Sequence, residues 1–336
     1  MGFRFGNNNP DNIYVGNQLV SRIYKGDTQV WRSPELVTVT TPGIVSSADP
    51  DILSHPTGTA GQQWLYFIDF TGPVVDGQTT GVVKRIVSTD NGKTWSAPVT
   101  TLEGVPATAY EEFETPCVIY NDVSGAYYLY TLGYTQAGDA LSGDIYLAHT
   151  DPANWTLATT PVLTRTVGGP DENYLMEPTG LWTGSKVELI YTGGNATGNR
   201  LVHVEAADGF SFGTKTVIFG PGDAPVGAFY QQAAGACVIP VPGGHIMAFT
   251  GLDNTLTNAG GIGLAFSNQG LKVGWTFGAS ALIAPFGGAT EVVAPGLHYD
   301  ADTDVLSVYY GYVEGGIIKL AMQQMTLAYA RNKTGV

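Results

Sequence analysis

Four acidic residues stand where acid–base chemistry is available: Asp49, Asp51, Glu114 and Glu177. Each lies at or beside the opening of a short apolar run that begins around a proline. These openings read Asp49-Pro50-Asp51-Ile52, Glu114-Thr115-Pro116-Cys117-Val118 and Glu177-Pro178-Thr179. Carboxyls held on separate segments are the equipment for cleaving a glycosidic bond. One is kept protonated by a raised pKa and donates to the leaving oxygen, while the other stays ionised as base or nucleophile. Asp49 and Glu177 are the first pair such chemistry would use, with Glu114 as a third member. Asp51, two residues past Asp49, is expected on the same strand face.

These residues are far apart in sequence, so the fold must bring them together, and the chain repeats in a way that does so. Two further openings have the same form, Gly235-Ala236-Cys237-Val238 and Val293-Ala294-Pro295-Gly296-Leu297. From Pro50 through Pro116, Pro178 and Ala236 to Pro295 the steps are 66, 62, 58 and 59 residues. After each opening comes an aromatic-rich run, such as Trp64-Leu65-Tyr66-Phe67 or Tyr127-Tyr128-Leu129-Tyr130, and then a third apolar run. Several runs are apolar on both faces, as in sheets stacked between other sheets. A period of this length with several strands per unit is that of a β-propeller.

The expected fold class is therefore all-β, a five-bladed β-propeller over residues 35–336 preceded by a small β module over residues 1–34. The blades should start near residues 48, 114, 176, 234 and 292. Composition agrees, with 45 glycines, 18 tyrosines and only 13 % charged residues, and no stretch shows helical periodicity. Few residues follow Met325, so Leu36 to Thr41 is expected to supply the last blade's missing strand and close the ring. In the small module, Ile13-Tyr14-Val15-Gly16 is echoed by Ile23-Tyr24-Lys25-Gly26, and Asp27-Thr28-Gln29-Val30-Trp31 follows. Short strands with turns are expected there, too few to be stable alone.

The turns after the third strands also recur. Ser88-Thr89-Asp90-Asn91-Gly92-Lys93-Thr94-Trp95 is a full Asp-box, with weaker counterparts at Asp151, Asp208 and Ser267. Its Asp should cap backbone N–H groups of the turn, and its Trp should pack between sheets. This is structural and remote from the axis.

Other candidates lie near the first strands. Tyr110, Phe113, Tyr174, Phe229 and Tyr230 offer aromatic faces for sugar rings, with core packing as the alternative for at least half of them. Glu291 and His298, on the fifth opening strand, complete the candidate binding set. A hydrogen-bonded core histidine is the simpler reading of His298. His55, His149, His203 and His245 have no metal-ligand spacing, and neither a metal nor a cofactor is expected. Cys117 and Cys237 follow equivalent positions in the second and fourth repeats and read as buried free thiols.

The net charge is -14, although residues 1–34 are locally basic through Arg4, Arg22, Lys25 and Arg32. So acidic a body argues against nucleic-acid or anionic-membrane binding. No apolar run reaches the length of a membrane span, and Met1 to Gly16 does not read as a signal peptide.

Two resemblances follow from these motifs. The segment Ile-Tyr-Lys-Gly-Asp-Thr-Gln-Val-Trp at residues 23–31 resembles an attachment segment of bacteriophage tail and baseplate proteins. It implies a virion-attached tail or fibre protein, assembled in the host cytoplasm. Such a protein would join other phage tail or baseplate proteins through residues 1–34 and recognise host surface polysaccharide with its propeller, with a homo-oligomer left open. Residues 40–325 resemble the five-bladed glycoside hydrolases, chiefly family 43 and its invertase and levansucrase relatives. That resemblance implies Asp49 as base or nucleophile and Glu177 as acid. It departs on the second blade, where Cys117 or Thr115 stands in place of the family's pKa-tuning Asp and Glu114 lies one residue off. An active tail-mounted hydrolase and a virion component without ligand are the alternatives to a glycan binder. A sialidase, suggested by the Asp-box, lacks support because only seven arginines are present and three of them lie in the first module.

Overall fold

The structure is a computed structural model. It describes residues 13–15, 18–20, 22–25, 28–32, 35–39, 44–54, 61–75, 78–104, 110–137, 139, 142–152, 154–253 and 259–336. Asp27, Thr40, Thr41, His55 and Ala153 lie outside the described residues.

Five antiparallel four-stranded units, called sheets one to five, carry the chain, the fourth and fifth joined by one parallel bridge between Gly260 and Val292. The first strands of the five are Ser47–Ser54, Glu112–Asn121, Tyr174–Trp182, Gln232–Val241 and Glu291–Asp300. In the first four sheets the strands then follow in sequence order, each paired with the next. The fifth sheet has Val305–Glu314 and Ile317–Thr326, and its fourth strand comes from the other end of the chain. Glu35–Thr38 pairs antiparallel with it, Met322 opposite Val37 and Ala321 opposite Thr38. The Val39 amide adds a hydrogen bond to the Leu320 carbonyl. The closing strand read from Leu36 onward is thus present.

Each first strand packs against the first strand of the next sheet, and the fifth returns to the first. Five apolar clusters fill the spaces between neighbouring sheets. One example joins sheets one and two through Trp64, Tyr66, Val83, Phe113, Val118 and Leu129. Another joins sheets five and one through Ile52, Leu65, Phe67, Tyr309 and Met322. Packing between neighbouring sheets explains second strands such as Gln63–Asp69, which is buried at every position.

The Asp-box behaves as expected. The Asp90 carboxylate accepts from the Lys93 and Thr94 amides and from the Thr94 hydroxyl. Those bonds, the Thr94 ones above all, lower its pKa to about 2. Trp95 lies edge-on to Tyr309 of sheet five. Before the ring, Ile13–Val15 pairs with Gln18–Val20 and Arg22–Lys25 with Thr28–Arg32, two hairpins that form two-stranded sheets of their own, the second with its strand Thr28–Arg32 near Ile317–Thr326.

One element departs from the sequence reading. Leu327–Thr334 is an α-helix, with the Thr326 hydroxyl accepting from the Tyr329 amide and left-handed Gly335 ending it. Its cap residues were visible in the sequence, but eight residues are too few to show a period. No helix among the described residues is long and apolar enough to cross a membrane.

Candidate functional site

Every first strand is interrupted by a bulge at the same place. Register shifts fall between Ala48 and Asp51, Glu114 and Cys117, Met176 and Thr179, Ala234 and Cys237, and Val293 and Gly296. Within each bulge the residue before the aligned Pro or Ala is left-handed. Asp49 has φ 50°, Thr115 48°, Glu177 55°, Gly235 52° and Ala294 50°. A proline next in line costs no ladder bond, because the bulge leaves that position unpaired. Four side-chain-bearing residues in a sparsely allowed conformation, at one level of one ring, are a repeated local strain of the kind that collects at functional sites.

The bulges turn these residues toward the axis. Asp49, Thr115, Glu177, Gly235 and Ala294 line one cavity together with the residues that follow them. The centres of water-sized molecules have about 30 Å³ of room in it, within about 330 Å³ of atom-free space that includes open solvent. That admits a water or two, well short of a sugar ring. Asp51 also faces this cavity, but the bulge, not simple strand alternation, puts it on the same side as Asp49.

The acids are unevenly supported. Glu177 Oε2 accepts from the Gly235 amide at 2.6 Å, and the Thr192 hydroxyl also bonds this carboxyl. Burial raises the Glu177 pKa, while those two donors oppose the rise. Asp49 is raised well above the carboxylate range, first by burial and then by the charges of Glu177 and Glu114. Burial, followed by Glu112, pushes Glu114 up to about 8, and the Tyr134 hydroxyl donates to it at 3.1 Å. Two donors thus support the charged form of Glu177, whereas burial and two acidic neighbours oppose that of Asp49.

Immediately below lies a second layer, formed by Asp51, Cys117, Thr179, Cys237 and Gly296. Here each side chain accepts a backbone N–H from the next sheet. Val118 donates to Asp51 at 2.7 Å, Val238 to Thr179 at 3.1 Å and Leu297 to Cys237 Sγ at 3.2 Å. The Gly180 amide donates to Cys117. At Gly296 the relay ends, because an added Cβ would lie 2.2 Å from the Pro50 carbonyl oxygen. Burial raises Asp51 to about 7 against the pull of its Val118 bond. Both thiols are free and buried, and burial raises their pKa, that of Cys237 to about 12. Cys117 thus joins sheets two and three where the family pattern has an Asp.

The remaining candidates fall away from this cavity. Phe113 is buried between sheets one and two, and Tyr230 is fully buried against Phe219 and Phe249. Both are core residues, and their proposed role in sugar contact is corrected accordingly. Tyr110 packs on Phe113 and Tyr146 and donates to the Ala158 carbonyl. Phe229 lies against Tyr230. Tyr174 is half-buried, with its hydroxyl on the Asn199 side chain and Glu177 close enough to raise its pKa after burial does. Glu291 starts the fifth first strand opposite Val313 and is not among the cavity's lining residues. His298 is bonded to Ser54 at 2.6 Å and to Gln63, tying sheet five to sheet one, and burial lowers its pKa. It belongs to the ring's closure and not to the acid cluster.

Sequence reasoning missed Thr115, Glu112, Tyr134 and the threonines that follow an aromatic on the second strands. The pairs Tyr191-Thr192 and Phe249-Thr250 were the available signal. Thr192 and Thr250 each accept the amide of the next sheet's left-handed residue, at 2.9 and 2.8 Å.

One other cluster, Glu188, His203 and Glu205 on sheet three, has metal-ligand atoms close together. Lys186 already bonds both glutamates, and His203 bonds Glu188 at 2.8 Å. It is an ion-pair network.

No family model and no curated protein matches the sequence. Solved structures do share the fold. The chain is similar to a thermostable family-43 glycoside hydrolase at 16 % identity and TM-score 0.62, covering 86 % of this chain and 91 % of that one. An α-L-arabinofuranosidase from Lactobacillus brevis is 14 % identical with TM-score 0.62, covering 84 % and 91 %. A β-1,2-mannobiose phosphorylase from Listeria innocua is 12 % identical with TM-score 0.65, covering 87 % and 92 %. At such identities the likeness is one of fold, that of the family-43-like propellers.

Proposed function

We propose that this chain recognises glycan at the mouth of its five-bladed propeller, and that it does so as a bacteriophage tail or fibre protein attached through residues 1–34. One observation carries the glycan reading. Asp49 and Glu177 from two sheets line one cavity at the ring axis, with Glu114 of a third sheet close enough to act on Asp49, in a fold shared with proteins that act on carbohydrate. A protonated and an ionised carboxyl together offer both donor and acceptor to sugar hydroxyls. The attachment reading is supported by the residue 23–31 motif and by two hairpins that stand outside the five sheets.

Recognition is favoured over turnover by two features, the small room at the axis and the burial and acidic neighbours that oppose a charged Asp49. Hydrolysis is the second reading, favoured by three raised carboxyls on rigid strands of different sheets. In it Glu177 donates to the leaving oxygen, Asp49 activates water or attacks, and Glu114 supplies the tuning charge. A glycan array probed with the intact protein tests the first reading, and no bound glycan would leave a ligand-free virion component. Release of reducing ends from host capsular or lipopolysaccharide glycan, lost in Asp49→Asn and Glu177→Gln, establishes the second. Deleting residues 1–34 should abolish incorporation into virions and leave the ring folded, since Glu35–Thr38 is retained. Virions that still incorporate the shortened protein would refute the attachment role.

A further inference from the structure

A second cavity lies at the same end of sheet one as Asp49, farther from the axis. Ser47 of the first strand pairs with Asp69 of the second, and Asp69 with Val82 of the third, which places this cavity beside the mouth. It gives the centres of water-sized molecules about 350 Å³ of room, against about 30 Å³ at the axis. Small-molecule sites span roughly 300–1,000 Å³, so a sugar ring that the axial cavity refuses is admitted here. The lining includes a built ion pair. Asp69 is 1 % exposed, and its Oδ1 accepts from the Thr71 amide at 2.9 Å and the Thr71 hydroxyl at 2.6 Å. Lys84 Nζ lies 2.6 Å from Oδ2. Asp69 engages only part of the ammonium's donor set, which leaves N–H groups for a ligand.

We propose that this cavity binds a neutral sugar residue of the glycan that the propeller recognises. The inference rests on the function proposed above and adds where, and by what chemistry, a ring is held. A sugar hydroxyl both donates and accepts, so it needs partners of both kinds. The Lys84 ammonium donates and the exposed Glu103 carboxylate accepts. The Thr71 hydroxyl, already donating to Asp69, accepts, and the exposed Thr100 hydroxyl can do either. Val82 and Pro73 offer apolar surface to the C–H face of a ring. Charge selects the class of sugar. Asp69 neutralises Lys84, so Glu103 leaves the lining net negative, in a chain of net charge -14. A uronate or a phosphate-bearing sugar would meet repulsion there, with no arginine among the described lining residues to clamp it. A neutral ring carries no such penalty.

Methyl NMR of the intact protein, with Val82 as reporter, tests the site against glucose, galactose, mannose, their disaccharides and glucuronate. The Val82 methyls should shift saturably with at least one neutral sugar and not with glucuronate. Lys84→Met should weaken that binding about tenfold or more, since it removes a charged donor. It also leaves Asp69 buried without its cation, so Thr100→Trp is the second variant. Thr100 is an exposed strand residue opposite Lys84, and an indole there fills the cavity while keeping both members of the ion pair. It should abolish the shift. A neutral-sugar response confined to residues of the axial cavity, or one at Val82 that survives Thr100→Trp, would overturn the site and leave glycan recognition standing. Tighter binding of glucuronate than of any neutral sugar would overturn the class. A Val82 silent to every sugar would also overturn the site. A glycan array positive for that same protein would keep the recognition reading, and a negative one would end both. Saturable shifts at Val82 in a protein that binds no glycan on the array would establish the site and sink the host-glycan reading.

Discussion

Two adjacent layers of the same five strands have opposite characters. The upper layer, Asp49, Thr115, Glu177, Gly235 and Ala294, is strained and irregular in chemistry. Its Thr115 hydroxyl is buried without a partner. The lower layer, Asp51, Cys117, Thr179, Cys237 and Gly296, hands a hydrogen bond from sheet to sheet around the axis. The residues differ by two positions in sequence and share one backbone device. The bulge bends every strand alike, so chemistry is free to vary above while the ring is fastened below.

The comparison can be broken in four ways. The largest effect is expected at Asp51. Its folded pKa, about 7, lies above the ordinary value of 3.8, so the folded state holds a proton that the unfolded chain has released in between. Its contribution is present below about pH 4 and is lost as pH rises toward and through 7, by up to ~4 kcal/mol. Urea unfolding of native protein and Asp51→Asn at pH 4.5 and 8 should show the variant gaining relative stability at the higher pH. A constant difference would mean that Asp51 does not hold that proton.

Next is Gly296→Ala, whose Cβ would press on the Pro50 carbonyl where sheets five and one meet. A loss of about 3 kcal/mol in the same assay is expected, and an unaffected midpoint would remove the steric reason for glycine there. Thr179→Val keeps shape but strips the acceptor from the Val238 amide, at about 2 kcal/mol. Faster hydrogen exchange at Val238 should accompany it. Smallest is the upper layer's Thr115→Gly, which relieves a left-handed φ and removes an unpartnered hydroxyl. A gain of about 1 kcal/mol is expected, and a loss would show that this layer too is fastened by its side chains.

The acids that converge were legible because the prolines mark the bulges. Aligning Pro50, Pro116, Pro178, Ala236 and Pro295 placed the five left-handed residues at one repeat position. Their turn toward the axis was not legible, since strand alternation assigns faces by parity and a bulge resets it. Phe113 and Tyr230 show the same gap. Aromatics near strand starts have one appearance in sequence whether they line a mouth or fill the space between sheets. Cys117 is the clearest case. As a departure from a family pattern it signals a lost acid, whereas in the structure its sulfur takes the Gly180 amide and holds two sheets together.

The amino-acid order by itself determined the repeat, the number of sheets, the Asp-box turn and the closing strand, because these rest on local propensity and on apolar spacing within short windows. How deeply each acid is buried, which acids act on one another, and which side chains fasten the ring were decided only by the tertiary structure. Burial and charge proximity act across sheets, between residues that are neighbours only once the ring has closed.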